Sequence, residues 1–249
     1  MTQVAIITGA GSGIGKACAA ALLAEDWEVV LVGRSADRLH AAIESFGAAR
    51  TRASAMPCDI AEADAVRRLF DEVQRRHGRL DLLFNNAGVS LPVQLPDEVA
   101  PEARRSAVGT NLDGAFFCLA QAFRLMRAQT PQGRRIINNG SISASAPRPG
   151  SIAYTATKHA ITGLTRAATL DGRKFNIAVG QIDIGNVASD MTEKMTHGVP
   201  QADGSTRVEP RMEMRCVVDT FTAMARLPLS ANVLFTTVMA TGMPFVGRG

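Results

Sequence analysis

A glycine-rich turn directly after the first apolar segment constrains the fold of this chain most. Residues 3–8 form a short run rich in β-branched side chains. Residues 8–15 have the sequence TGAGSGIG, and a helix-forming stretch follows them. Strand, turn and helix in this order place backbone N–H groups at a helix N-terminus, where they attract an anion together with the helix dipole. A tight turn alone also needs glycine. The position after the first strand nevertheless favours a dinucleotide-binding turn.

Strand and helix patterns alternate along the rest of the chain. Such alternation predicts an α/β fold, in which helices cover both faces of a parallel sheet, as a single domain over residues 1–249. Residues 187–210 form the one long irregular stretch, and we interpret it as a substrate loop because such loops are often lids. Strands are predicted near 4–8, 28–32, 52–57, 81–85, 134–140, 176–182 and 233–240, and helices near 14–25, 36–45, 62–77, 102–129, 152–171 and 211–226.

The composition argues against a nucleic-acid or membrane partner. The 249 residues are 46% hydrophobic and 20% charged, which suits a globular protein with a substantial core. The net charge of +4 is spread over short clusters such as Arg67-Arg68, and aromatic residues are only 5%, so a basic patch with interleaved aromatics is missing. No apolar run approaches the length of a membrane span.

The cysteines and histidines indicate neither disulfides nor a metal site. Neither set follows a pairing or metal-ligand spacing, and no secretory segment precedes the first strand. We therefore expect reduced, mostly buried thiols in a cytoplasmic protein without a metal. The residues are Cys18, Cys58, Cys118, Cys216, His40, His77, His159 and His197.

Tyr154, the only tyrosine, stands four residues before Lys158 within a predicted helix. That spacing places both side chains on one face of the helix. An ammonium close to a phenol favours the phenolate and makes the pair a candidate proton donor and acceptor. A tyrosine four residues before a lysine is also common in ordinary helices, so the pair gains meaning only from the motifs around it.

Together these motifs resemble the short-chain dehydrogenase/reductase family. The glycine spacing 9, 13, 15 differs from GxGxxG, and it is followed in order by Asn85-Asn86-Ala87-Gly88, Asn111, Ser141 and the Tyr154/Lys158 pair. The resemblance covers residues 3 to 195. It implies a doubly wound Rossmann fold with seven parallel strands in the order 3-2-1-4-5-6-7. Such folds bind ligands at the carboxyl ends of the strands, and every motif named here follows a predicted strand.

The resemblance also implies the catalytic set. Tyr154 is the expected general acid or base, and Ser141 is expected to polarise the substrate carbonyl. Lys158 would assist the tyrosine and hold the nicotinamide ribose. Asn111 matches the family's asparagine that positions a water, although a kink or cap in a helix is an alternative role.

The remaining implied contacts are to the cofactor. Asp59 matches an acid that touches the adenine amine, with a helix N-cap as the alternative. Val187 is expected to contact the nicotinamide carboxamide through its backbone, and Ser189 to stand near the pyrophosphate. The implied cofactor-binding set is Gly9, Ser12, Gly13, Ile14, Gly15, Arg34, Ser35, Asp59, Ile60, Asn86, Ala87, Gly88, Tyr154, Lys158, Gly185, Val187 and Ser189.

The end of the second strand indicates which nicotinamide is preferred. NAD-preferring folds place an acid there to bind the ribose hydroxyls, but this chain has Gly33 followed by Arg34 and Ser35. Glycine leaves space for a 2′-phosphate, which Arg34 can grip through charge-assisted hydrogen bonds and to which Ser35 can add a donor. Stacking of Arg34 on the adenine, or exposure to water, is the alternative. We predict a preference for NADP(H), with NAD(H) as a second accepted cofactor.

Two segments depart from the family pattern. Ile184-Gly185 replaces the usual Pro-Gly after the sixth strand, which removes the restraint that proline places on φ. The C-terminal end lacks the usual Val-Asp-Gly-Gly. Arg148 is expected either to meet an anionic substrate group or to face solvent, and the pocket is expected to be lined by residues 142–148, 91–95 and the segment from Val187 onward.

The predicted function is hydride transfer between a nicotinamide and a small carbonyl or secondary alcohol. A non-catalytic NADP(H)-binding regulator is the alternative, and sugar epimerisation is disfavoured because epimerases of the family usually carry an additional substrate lobe. Family members usually pair helices around Asn111 and Lys158, so a homotetramer or homodimer is expected. Residues 115–120 are apolar all round, which suits a helix covered on both sides.

Overall fold

A sheet of seven parallel strands forms the centre of the protein. The computed structural model describes residues 2–246, apart from the side chains of residues 190, 191 and 194. The strands are β1 (Val4–Thr8), β2 (Glu28–Gly33), β3 (Ala53–Pro57), β4 (Leu82–Asn85), β5 (Arg134–Asn139), β6 (Ile177–Ile184), β7 (Val199–Pro200), β8 (Thr206–Arg207) and β9 (Phe235–Val238). Their order in the main sheet is β3-β2-β1-β4-β5-β6-β9, as the family resemblance implies. The last strand of this sheet is β9 in chain order because the two short strands β7 and β8 precede it.

Helices cover both faces of this sheet, so the fold is the single-domain, doubly wound α/β arrangement. Ile6 and Ile7 are both fully buried, yet they point into different apolar clusters because successive side chains on a strand face opposite ways. One cluster includes residues of α1, α2 and α7, and the other includes residues of α3, α5 and α6. The helices are α1 (Gly13–Ala24), α2 (Ala36–Glu44), α3 (Ala63–His77), α4 (Pro101–Val108), α5 (Gly114–Ala128), α6 (Ile152–Gly172) and α7 (Met214–Arg226).

The helix predicted over 102–129 is interrupted by a π-helical turn at Gly109–Asp113. Hydrophobic periodicity cannot locate one extra residue inside a continuous helical stretch. Asn111 lies within this turn and is buried. Turns of this kind occur mostly at functional positions.

The segment over 187–210 is more ordered than an irregular loop. It contains a 3-10 helix at Asp190–His197 and an antiparallel hairpin of β7 with β8. The strands are two residues long, too short for a periodic pattern in the sequence. A parallel bridge between Val187 and Met212 anchors the segment to the body of the protein.

Strand β6 continues two residues further than predicted, to Ile184. Ile184 pairs with Val238 of β9 and is buried, and the next residue, Gly185, donates its N–H to the carbonyl of Val238. The strand therefore includes the position at which the family usually has proline.

All four cysteines are free thiols, as expected from the sequence. Cys18, Cys58 and Cys118 are buried and Cys216 is exposed. Between residues 2 and 246, no three His, Cys, Asp or Glu side chains come together as metal ligands would. None of the helices in that range has both the length and the apolar character to cross a membrane.

Candidate active site

A cleft of about 390 Å³ opens at the carboxyl ends of the central strands, where the sequence motifs were expected to meet. One part is formed by the glycine turn after β1 and the segment after β4. The other is formed by the segment after β5, the start of α6 and residues from Ile184 onward. Sequence-predicted residues that line it are Gly9, Ser12, Gly13, Ile14, Asn86, Ala87, Gly88, Ser141, Tyr154, Lys158, Gly185, Val187 and Ser189.

The glycine turn has the geometry of a phosphate cradle. Gly9 has a positive φ of 67°, and a Cβ at Gly15 would lie 2.5 Å from the carbonyl oxygen of Gly9. Ser12 precedes α1 but makes no side-chain capping bond to it, so its side chain leaves the N–H groups of the first turn to other acceptors. A pyrophosphate fits this position, because exposed N–H groups and the positive end of the helix dipole face it.

Asn86 and Ala87 are fixed to strand β1 by the hydroxyl of Thr8. The N–H groups of both residues donate to Thr8 Oγ1 at 2.9 Å, and Asn86 Nδ2 donates to the Thr8 carbonyl at 2.9 Å. Asn85 joins β4 to β5 through its amide, which donates to Asn138 Oδ1 at 3.1 Å. These bonds join the segment after β4 to the neighbouring strands and hold the floor of the cleft in place.

The predicted catalytic side chains come together on one side of the cleft. Tyr154 and Lys158 lie on the same face of α6, with Lys158 Nζ 5.6 Å from the centre of the tyrosine ring. Lys158 is buried, and its ammonium donates to the Asn139 carbonyl at 2.7 Å. This hydrogen bond holds the lysine ammonium at the cleft. The Asn139 carbonyl could not be identified as a partner from the sequence.

Ser141 is held by backbone and side-chain contacts at the end of β5. Its hydroxyl accepts a hydrogen bond from the N–H of Ser143 at 3.1 Å, and its own N–H donates to Asp183 Oδ1 at 2.9 Å. Burial raises the pKa of the Asp183 carboxyl, while hydrogen bonds from Gln181 and Ser141 and the charge of Lys158 oppose this rise. Asp183 could not be singled out from the sequence, since it lies within strand β6 rather than after a strand.

Asn111 holds the segment after β4 in place through hydrogen bonds to the backbone of Val89. Its Oδ1 accepts from the Val89 N–H at 2.7 Å, and its Nδ2 donates to the Val89 carbonyl at 2.9 Å and to Thr157 Oγ1 at 3.2 Å. Both amide protons are therefore already used by the protein. The structure places Asn111 at the cleft as predicted, and its role with a water stays a prediction.

The residues expected to contact the adenosine half of the cofactor do not line this cleft. Arg34 is exposed and makes no hydrogen bond or ion pair within residues 2–246. Ser35 caps α2 by accepting from the Arg38 N–H at 3.3 Å, which leaves its proton free to donate. Asp59 Oδ1 accepts from the Ala61 N–H at 3.0 Å, so that oxygen serves a local turn, and Ile60 is buried.

Residues after β6 have structural partners of their own. Gly185 is needed because a Cβ there would lie 2.7 Å from Met239 Cβ. The Val187 carbonyl accepts from the Thr192 hydroxyl, and Ser189 forms a reciprocal capping box with Thr192. These contacts hold the segment over the cleft, and contacts of Val187 and Ser189 to a cofactor stay predictions.

Of the two alternatives expected for Arg148, the structure argues against exposure to solvent, because its side chain is only 15% exposed. It lines the cleft, but its guanidinium pairs with Glu209 and donates to Asn186 Oδ1 at 2.8 Å. Glu209 could not be found from the sequence because it lies 61 residues away, beyond the last motif.

With this geometry the chain can be compared with known proteins. The family model for the short chain dehydrogenases matches residues 3–200. The 3beta-hydroxysteroid dehydrogenase of Mediterraneibacter gnavus is 33% identical over 206 residues, which are 83% of this chain and 72% of that protein. The chain belongs to the short-chain dehydrogenase/reductase family. Within that family it is an NAD(P)-dependent oxidoreductase.

Solved structures agree with this assignment. ElxO with NADP bound has a TM-score of 0.84 and 25% identity, covering 95% of this chain and 98% of that one. The 3-ketoacyl-(acyl-carrier-protein) reductase from Brucella melitensis, complexed with NADH, has a TM-score of 0.84 and 24% identity, covering 96% of this chain and 97% of that one. Proteins of this fold thus occur with either nicotinamide.

Proposed function

We propose that this protein is an NADP(H)-preferring oxidoreductase that moves hydride between the nicotinamide and a small carbonyl or secondary alcohol, with Tyr154 as the acid/base. The observation that carries the proposal is the pairing of Tyr154 with a buried lysine in the cleft, beside Ser141. The bound nicotinamide would supply or accept the hydride. The protein supplies binding, orientation and the proton.

The proton steps belong to the side chains of this cleft. In reduction, Tyr154 donates its phenolic proton to the carbonyl oxygen, and in oxidation the phenolate removes the hydroxyl proton. Lys158 places a positive charge, shielded from water, with its Nζ 5.6 Å from the centre of the tyrosine ring. The Ser141 hydroxyl already accepts from the Ser143 N–H, so its own proton can be directed to the substrate oxygen.

The preference for NADP(H) rests on the turn after β2. A side chain at Gly33 would have Leu39 as its nearest neighbour at 3.5 Å, so this position has room. Arg34 beside it is exposed, and its guanidinium makes no hydrogen bond or ion pair within residues 2–246. A 2′-phosphate placed there would meet a cation without meeting a carboxylate.

The names of similar proteins do not choose the substrate. One is named for a 3beta-hydroxysteroid and another for a 3-ketoacyl group on acyl carrier protein. A carbonyl or alcohol is the chemistry that these names share. The alternative of a non-catalytic regulator has less support, since a protein that only binds nucleotide would not need Ser141, Tyr154 and Lys158 together.

The test is Tyr154→Phe, measured by NADPH consumption with a panel of carbonyl compounds. The change removes the transferable proton and keeps the ring, so turnover should fall by far more than tenfold while NADPH affinity stays within a few-fold. A tenfold loss corresponds to only ~1.4 kcal/mol of transition-state stabilisation. If the variant keeps activity within tenfold, Tyr154 is not the acid/base. If the wild type turns over no carbonyl or alcohol, the regulator is the better description.

A further inference from the structure

The side of the cleft beyond Tyr154 is apolar at its wall and at its rim. Its side chains come from the segments after β4, β5 and β6, and Val93 and Ile152 are more than half exposed at the mouth. Among the side chains that the structure describes, no aspartate or glutamate lines the cleft, and the lysine and arginine side chains that line it are Lys158 and Arg148. The apolar lining is Leu91, Val93, Ile142, Ile152, Met195 and Val199.

Arg148 lies on this apolar side, and its positive charge is already paired with another side chain of the protein. Its guanidinium pairs with the Glu209 carboxylate, whose side chain is only 1% exposed. Glu209 also accepts hydrogen bonds from Asn186 Nδ2 at 2.9 Å and from Gln201 Nε2 at 3.1 Å. Both carboxylate oxygens are therefore engaged.

The charge of this pair is internally balanced. Burial by itself raises the pKa of the Glu209 carboxyl, but the hydrogen bonds it accepts outweigh burial and hold that pKa below its usual value. Glu209 is thus ionised at neutral pH and neutralises Arg148. A substrate carboxylate that took Arg148 would leave Glu209 buried with an unpaired charge, which is strongly unfavourable.

The pair also joins two separate segments over the cleft. Arg148 lies between β5 and α6, while Glu209 follows strand β8. Asn186, directly after β6, donates to Glu209 and accepts from Arg148. Separating the pair to admit an anion would loosen the segment that covers the cleft, so the fold itself opposes that exchange.

We propose that the substrate is a neutral carbonyl compound or secondary alcohol with an apolar body, and that the Arg148–Glu209 pair excludes substrates carrying a carboxylate or phosphate on that body. This inference rests on the proposed function of the same cleft. It names the substrate class: a neutral apolar ketone or its alcohol rather than a keto acid or a phosphorylated sugar.

The first experiment compares two matched substrates on the wild-type enzyme. One is a neutral methyl ketone with an eight-carbon tail, and the other is the same ketone with a carboxylate at the end of the tail. We expect kcat/KM to favour the neutral ketone by at least about tenfold, mostly through KM. Equal or better turnover of the keto acid overturns the substrate class while leaving the proposed function intact. Turnover of no carbonyl at all overturns both.

The second experiment tests whether the pair causes the selectivity. Glu209→Gln leaves the charge of Arg148 unbalanced, so the ratio of neutral-ketone to keto-acid kcat/KM should fall by about tenfold. Glu213→Gln makes the same chemical change at an exposed glutamate near by and should leave the ratio unchanged. The double variant Arg148→Gln/Glu209→Gln has neither charge and should restore the wild-type ratio.

The double variant also covers the case in which Glu209→Gln does not fold, because it buries no unpaired charge. If the double variant then prefers the keto acid, or if Glu209→Gln folds and keeps the wild-type ratio, the assigned role of the pair is wrong. NADPH affinity serves as the check of folding, since neither residue lies near the glycine turn.

Discussion

Asp183 shows at the scale of a single residue how Ser141, a proposed catalytic residue, is positioned by a group that belongs to no motif. Its Oδ1 accepts hydrogen bonds from the Ser141 N–H at 2.9 Å and from Gln181 Nε2 at 2.7 Å. Burial raises the pKa of this carboxyl. For a carboxyl whose pKa is higher in the folded protein, the stabilising contribution is complete below the unfolded pKa and is lost as pH rises through the folded pKa.

Asp183→Asn should remove this pH-dependent loss. The difference in Tm, variant minus wild type, should therefore increase as pH rises from about 4 to 7, starting near the usual pKa of a free aspartate. A constant effect of the altered hydrogen bonds shifts the whole curve without changing its slope. Asp171→Asn, at an exposed aspartate of α6, should give a flat difference. A flat or falling difference for Asp183→Asn would contradict the expected sign.

Single residues also mark the limit of sequence reasoning at this site. Ser141, Tyr154 and Lys158 could be placed together because each belongs to a motif with a fixed position relative to a strand end. Glu209 could not be placed in this way, since its contact with Arg148 depends on how residues 187–210 fold back over the cleft. Burial and ion pairing across such distances leave no local pattern in the chain.

At the scale of elements, strands and helices were predictable almost throughout. Buried parallel strands are continuous apolar runs, and the helices that cover them are amphipathic, so both leave strong periodic signals. The π turn at Gly109–Asp113 and the two-residue strands of the hairpin leave none. Strand β6 also runs on to Ile184, two residues beyond the predicted end.

The β2–α2 turn is the element in which cofactor preference should be decided. Arg34→Ala removes the cation proposed to bind the 2′-phosphate, so kcat/KM for NADPH should fall by about tenfold or more, equivalent to ~1.4 kcal/mol, with little change for NADH. Arg104→Ala, at an exposed arginine of α4, is the matched control and should change neither value. A wild-type enzyme that uses NADH equally well or better would refute the preference.

Gly33→Asp tests the same turn from the opposite direction. The nearest atom to a Cβ at this position is Leu39 Cδ2 at 3.5 Å, so the backbone should tolerate the side chain. A carboxylate there would repel the 2′-phosphate and could accept hydrogen bonds from the ribose hydroxyls of NADH. Preference should move toward NADH. An unchanged NADPH/NADH ratio in a folded variant would place the phosphate elsewhere.

At the scale of the whole molecule, the order of the seven strands was predicted from the family resemblance, because periodicity alone does not say which strands are neighbours.

Helix α5 has one face that this chain leaves exposed. Residues 115–120 were expected to be covered on both sides, yet Phe116 is 50% exposed while Cys118 is fully buried. One side of the helix packs on the sheet, and the other is left uncovered by this chain.

We expect a second copy of the chain to cover Phe116, giving a homodimer or homotetramer. Burying a phenylalanine side chain contributes roughly 2 kcal/mol, and a two-fold contact would bury at least two of them. Phe116→Glu should therefore lower the molar mass measured by light scattering at micromolar concentration. Val208→Glu, at a still more exposed apolar residue beside the hairpin, should leave the molar mass unchanged. A wild-type monomer at that concentration would mean that the exposed face of α5 remains in contact with water.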